Sequence, residues 1–286
     1  MDKENRHHLW LTVPALLSIG LLFSAYGLFG WTSFYRATPG GLGVGGDFTF
    51  DNYLRIFGSW RELAVIGETL WISFALTMIS LVIAVPMALV IARSPSRLVR
   101  SILLFTLAVT FLSGGVTRAY AWMVLLGNKG LINLALVHLG VIERPIRLVF
   151  NWLGVSISLV HFLLPFTVFT LVGAVKNLPL SVEEAARNLG ATRMTTFFRV
   201  TLPLLSSGLV VAASLTYSLA LSSFLFPLLL GGGRVRMVAN HIYERLFVAY
   251  DIPFAAATSA VFLVLSFVVI LGFAGLERLV RKVVVR

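Results

Sequence analysis

Apolar residues fall in six long runs almost free of charge, separated by short polar stretches. Each run is close to the ~20 residues that a helix needs to cross a bilayer. The runs cover about 9–35, 69–92, 101–126, 148–175, 207–230 and 252–276. Backbone amides in hydrocarbon have no water to bond, so each run is expected as a helix. Pro86 is expected to kink the second, Arg118 interrupts the third, the fourth holds His161 and Pro165, and Pro227 lies near the end of the fifth. The whole chain, 1–286, thus reads as a single all-α transmembrane domain with six spans.

The pattern changes between the fourth and fifth runs. Residues 176–203 form a polar island with two carboxylates, Glu183 and Glu184, and three arginines, Arg187, Arg193 and Arg199. Hydrocarbon would not tolerate these charges unpaired, so the island belongs in water or against another protein. Ser181 followed three residues later by Glu184 has capping-box spacing, with Pro179 just upstream. Ala185 and Ala186 are small, good helix formers that allow a partner to approach closely, and Gly190 is a natural left-handed stop. Thr192 can then cap a second helix with an apolar side of Met194, Phe197, Phe198 and Val200, which Pro203 bends or ends. Outside the island, residues 40–46 carry five glycines and read as too flexible for a defined element. Residues 48–57 and 131–141 read as short helices lying on the membrane surface.

Composition agrees with a membrane class: 58% of residues are hydrophobic and 12% charged, against a usual ~25% charged. The net charge of +11 does not point to nucleic acid, because the basic residues are spread among short loops without a stripe or motif. With the N-terminus inside, 13 basic residues lie on the inner side and 9 on the outer. That bias places both termini and the island in the cytoplasm. The length of the first run and its lack of a small-residue cleavage site favour an uncleaved anchor.

Little in the chain suggests chemistry of its own. Gly127-Asn128-Lys129-Gly130 and Gly231-Gly232-Gly233-Arg234 lack the Gly-Lys-Ser/Thr ending of a phosphate-binding loop, so the chain is not expected to hydrolyse ATP or to be an enzyme. There is no cysteine, and His7, His8, His138, His161 and His241 are not spaced as metal ligands, so no metal or cofactor is expected. His161 is expected to be a hydrogen-bonded packing residue. Arg118 has two open readings, a structural or snorkelled arginine and a group on a translocation path. Tyr120 and Trp122 fit either a path or an aromatic belt. Tyr217 and Ser222, with the other hydroxyls of the fifth run, either line a pore or bond helix to helix.

Glu184-Ala185-Ala186, three residues, Gly190, nine residues, Val200, one residue, Leu202-Pro203 resembles the EAA loop of binding-protein-dependent ABC importer permeases, with valine where isoleucine is commonest. The wider chain, from Phe50-Asp51-Asn52-Tyr53 through Arg118-Ala119-Tyr120-Ala121-Trp122 and Gly130-Leu131-Ile132-Asn133 to Pro253-Phe254-Ala255-Ala256-Ala257, is similar to spermidine/putrescine-type permeases. The resemblance implies a type I importer (MetI-like) fold in a bacterial inner membrane. It also implies a second, often non-identical permease subunit, a cytoplasmic ABC ATPase dimer that binds the ATP, and an extracytoplasmic solute-binding protein. Carried over, Glu184, Ala185, Ala186 and Gly190 would sit at the ATPase interface, flanked by Arg187 and Arg193.

The substrate is less defined. A polyamine would want carboxylates or an aromatic cage along its route, whereas the spans hold no Asp or Glu well inside them. An unpaired Arg118 would suit a carboxylate or phosphonate instead. A secondary transporter would be expected to show intramembrane acids or inverted repeats, and a membrane enzyme clustered His, Asp or Glu; the sequence offers neither.

Overall fold

The computed structural model describes residues 3–38 and 44–284. In chain order the elements are α1 (Lys3–Thr32), strands β1 (Tyr35–Ala37) and β2 (Val44–Phe48), α2 (Asp51–Gly58), α3 (Trp60–Arg93), α4 (Arg97–Leu112), α5 (Gly115–Leu126) and α6 (Leu131–His138). They continue with α7 (Trp152–Lys176), α8 (Leu180–Asn188), α9 (Arg193–Thr196), a π-helical turn (Phe197–Thr201), α10 (Leu202–Leu204), α11 (Ser206–Leu221), α12 (Leu225–Leu230), α13 (Val238–Phe247) and α14 (Ile252–Val284).

Among the described residues, five stretches are long and apolar enough to cross a membrane: Thr12–Thr32, Trp60–Arg93, Gly115–His138, Trp152–Lys176 and Ile252–Arg278. A sixth is obtained if Arg193–Leu204 and Ser206–Leu221, bent by 67°, count as one span. Two of the apolar runs are not single helices. The run over 101–126 breaks between α4 and α5 at Ser113, whose hydroxyl donates to Thr110 O at 2.8 Å, and the run over 207–230 breaks at Ser222, whose hydroxyl donates to Leu219 O at 3.1 Å. In both places a serine beside a helix end satisfies a carbonyl that would otherwise need the next turn.

The chain divides into two compact units. The first comprises Met1–Ala64 and His241–Val264. Here β1 and β2 pair antiparallel, Tyr35 opposite Phe48, so Gly45 and Gly46 lie in a strand and not in the featureless stretch expected; Gly40 to Gly43 lie outside the described residues. Packing overrides the weak propensity of glycine, because Trp31, Phe34, Tyr35, Phe48, Phe50 and Tyr53 form a ring cluster with centroids 5.3–6.5 Å apart. The Arg36 guanidinium, 2.6 Å from Asp51 and bonded to it, and the Thr49 hydroxyl hold the Asp51 carboxyl below its usual range. At the start of α3 the buried Glu62 lies 2.6 Å from His241 and 2.7 Å from Arg245. Arg55 pairs with Asp251 at 3.0 Å, and both Arg55 and Arg245 lie over the Phe254 ring.

The second unit, Val65–Asn240 and Leu265–Arg286, is organised around α7. The first half of α7 packs in an apolar cluster with Leu126, Leu148, Phe226, Leu230 and Met237, and its second half in another with Ala88, Ile91, Leu205 and Ala212. Half of its most apolar window is buried, the largest share of any span, while that of α1 buries nothing against this chain. The Thr167 and Thr216 hydroxyls, 2.8 Å apart, tie α7 to α11. Such pairs hold apolar helices together where the hydrophobic effect does not discriminate lipid from protein. Both α3 and α7 run through their prolines, Pro86 and Pro165, without interruption.

Candidate functional site

The polar island lies at the end of α7 and is built as two short helices. Pro179 takes the cap position of α8 and no side chain caps it. This corrects the capping box expected from Ser181 and Glu184. The fixed φ of Pro179 starts the helix early enough that Ser181 already lies inside it. Glu184 is exposed and carries no hydrogen bond or ion pair among the described residues. The C-terminal end is as expected: Gly190 has φ +87, its N–H donates to Arg187 O at 2.9 Å, and that of Ala191 donates to Ala186 O at 3.1 Å. That double bond pattern closes a helix on a left-handed residue. Thr192 caps α9, accepting from Thr195 N at 3.2 Å.

Beyond α9 the chain passes through a π-helical turn, with Leu202 N donating to Phe197 O. The wider register accommodates Pro203, which has no N–H to give, and the bend follows.

No residue of α8 is buried. Glu184, Ala185, Arg187, Gly190 and Arg193 are exposed and Ala186 is half-buried, so the candidate coupling residues form one accessible surface. Apolar side chains stand on it too. Leu189 is 89% exposed, and Met194 and Phe198, expected on the packed side of the second helix, are 71% and 60% exposed; only Phe197 and Val200 turn inward.

The residue that fixes α8 to the body is Glu183, which sequence reasoning passed over. Its Oε1 accepts from the Thr201 hydroxyl at 3.2 Å and lies 3.5 Å from Arg93 Nη2, whose guanidinium also donates to Leu178 O at 3.1 Å. The two charged side chains are 14% and 19% exposed. Arg93 ends α3, so this cluster links the island to a membrane span and to the π-helical turn. The neighbouring Glu184 gave the motif, but nothing in a sequence joins residues 90 positions apart.

The candidate path residues are not brought together. Arg118, 5% exposed, sits at the break between α4 and α5, where its guanidinium donates to Ser113 O at 2.8 Å, to the Ser113 hydroxyl and to Thr110 O, and lies over the Phe162 ring. It therefore caps the C-terminal carbonyls of α4, where a cation also meets the negative end of the helix dipole. Trp122 donates to His161 Nδ1 at 3.1 Å, which makes His161 the packing residue expected. Tyr217 is buried edge-on to Phe273, while Tyr120 and Ser222 are exposed. Replacing Arg118 by glutamine is expected to lower thermal stability by about 2 kcal/mol, since charge-assisted bonds to buried carbonyls are lost. Lysine should rescue it only in part for want of the fork. Melting of the solubilised protein followed by size-exclusion chromatography checks both variants.

A mostly helical chain with five or six candidate spans and an exposed pair of short helices between two of them is a polytopic membrane protein. The chain belongs to the family described as binding-protein-dependent transport system inner membrane component, which it matches over residues 80–282. It is 35% identical over 235 residues, 82% of this chain and 81% of the relative, to the spermidine/putrescine transport system permease protein PotB of Salmonella typhimurium (strain SL1344). Its fold is similar to that of a chain in the bacterial alginate ABC transporter solved with alginate pentasaccharide-bound periplasmic protein, with a TM-score of 0.78 at 19% identity over 98% of both chains. It is also similar to a chain of the inward-facing MetNI methionine ABC transporter, with a TM-score of 0.58 at 19% identity over 77% of this chain and 96% of the other. The protein is a MetI-like permease subunit of a bacterial ABC importer, a multi-pass inner-membrane protein and not an enzyme. ATP hydrolysis belongs to a separate subunit of such importers, and solute arrives on a binding protein.

Proposed function

We propose that this chain is a pore subunit of an ATP-driven importer of polyamines or closely related small organic cations. In this reading a cytoplasmic ATPase dimer drives it through α8, both termini are cytoplasmic, and a second, non-identical permease completes the pore. The observation that carries the coupling is the exposed surface of Glu184, Ala185, Arg187 and Leu189 on a helix fixed to the body by Glu183 and Arg93. A lever must be free on one face and rigidly attached on the other, and α8 has both properties. Movement of the ATPases would pass through it to α3 and α7. Among the candidate path residues, Tyr120 and Ser222 are exposed and available to line a route in the assembled pore, whereas Arg118, Trp122 and Tyr217 hold the fold.

The substrate class rests on the likeness to the spermidine/putrescine permease. The objection from Arg118 is weaker in the folded chain, because its charge is turned onto backbone carbonyls of α4 and not into open space. The absence of native cysteine makes a direct test simple. Cysteine placed at Ala185, with another on the ATPase surface that would face it, is expected to crosslink in a yield that changes with ATP. No crosslink in any nucleotide state would overturn the docking. Radiolabelled spermidine uptake by the complete transporter, with a dicarboxylate and a phosphonate as competitors, tests the substrate. ATP-independent uptake by the purified chain alone would instead establish a secondary transporter.

A further inference from the structure

At the end of α7 opposite α8 lies a recess of about 560 Å³, lined among others by Gly127, Asn128, Arg147, Phe150, Gly232 and Arg234. Its wall is built firmly. Asn133 donates from its amide to Gly127 O and Ile146 O, both at 3.0 Å, and accepts from Ile146 N at 2.9 Å. Asn151 holds Arg147 O at 2.6 Å and also caps α7. Phe150 has φ +62, an unfavourable backbone for a side chain of that size, and its N–H donates to Leu230 O at 2.8 Å. The Phe150 ring fills the space where a Cβ on Gly232 would stand, so only glycine fits there.

Three polar side chains that line the recess are left for a ligand. The side chains of Asn128, Arg147 and Arg234 make no hydrogen bond or ion pair among the described residues, and no carboxylate lines the recess. The two connections that form it, residues 127–151 and 231–237, hold Lys129, Arg144, Arg147, Arg234 and Arg236 against one acid, Glu143. Two guanidinium forks and an amide converging on one recess match the oxygens of a phosphate.

Its surroundings indicate which phosphate. The recess lies where α5 and α12 end and at the start of α7, a stretch long enough to cross a bilayer, so a phosphate held there would stand at the end of that span. Each of these helices exposes a large apolar residue within about one turn of it: Val124, Leu228 and Leu153. Apolar surface beneath a basic recess suits a molecule with acyl chains below its phosphate, and a soluble protein's acidic loop would leave that surface bare.

We propose that this recess binds the headgroup phosphate of an anionic phospholipid, held by Arg147 and Arg234. The test is native mass spectrometry of the complete transporter, released from nanodiscs of phosphatidylglycerol mixed with phosphatidylcholine. The wild type is expected to retain phosphatidylglycerol in preference to phosphatidylcholine. The double variant Arg147→Gln/Arg234→Gln should retain it about tenfold less or worse, the loss expected for charge-assisted bonds. Should that variant fail to assemble, Arg147→Lys/Arg234→Lys keeps the charge and is expected to retain an intermediate amount; the lipid preference of the wild type is then the second readout. Equal retention by wild type and variant overturns the proposal. So does displacement of the lipid by millimolar inorganic phosphate, which would mean a free-anion site. A variant that keeps its lipid but loses affinity for the solute-delivering protein assigns the surface to that protein and overturns the proposal as well.

Discussion

Ala185→Trp is expected to abolish import while leaving the protein folded and in the membrane. Position 185 is exposed on a helix that buries none of its residues in this chain, so an indole there can project away from the fold. Against a docked ATPase the same ring would hold the two surfaces apart. Loss of a central contact costs about 2 kcal/mol or more, equivalent to a fall in assembly and transport of about 30-fold. Solute uptake by whole cells, normalised to permease in the membrane, measures it. Normal uptake by this variant would remove α8 from the ATPase interface.

The second large effect separates two adjacent glutamates. Glu183→Ala removes the acceptor of Thr201 and the partner of Arg93 at a site where both charges are mostly covered. It is expected to lower stability by about 2 kcal/mol, the range for hydrogen bonds to charged groups. It should also uncouple the transporter, with ATP hydrolysis continuing while import fails, because α8 is no longer held to α3. Glu184→Ala is expected to uncouple without any loss of stability, since Glu184 caps nothing and pairs with nothing among the described residues. A double-mutant cycle between Arg93→Ala and Glu183→Ala isolates the strut. Additive single effects would show that the two side chains act separately, and a stable, coupled Glu183→Ala would show that α8 needs no fixing.

The bilayer made much of this legible. Because unpaired backbone groups cannot face lipid, a run such as 148–175 had to be a helix, and it is α7, Trp152–Lys176. The ends of the island were equally local: Gly190 and Thr192 act within four residues of themselves, so their roles follow from type and spacing. Ser181 failed for an equally local reason, as Pro179 took the cap two positions earlier.

Other features depend on partners that lie far away in sequence. That Arg118 bonds the carbonyls at the end of α4 turned on the break at Ser113, where apolarity alone gave no signal. Glu183 and Glu184 are the same residue type side by side, about 100° apart around a helix; only packing decided that one meets Arg93 and the other faces outward. The sequence by itself thus determined a polytopic helical membrane protein with a glycine-closed helix pair between spans, since hydrophobic run length and capping are short-range constraints. Tertiary structure alone decided which charge is strut, which is free and which caps a broken span. Those roles belong to pairs of groups, and the distance between them is set by how the helices pack.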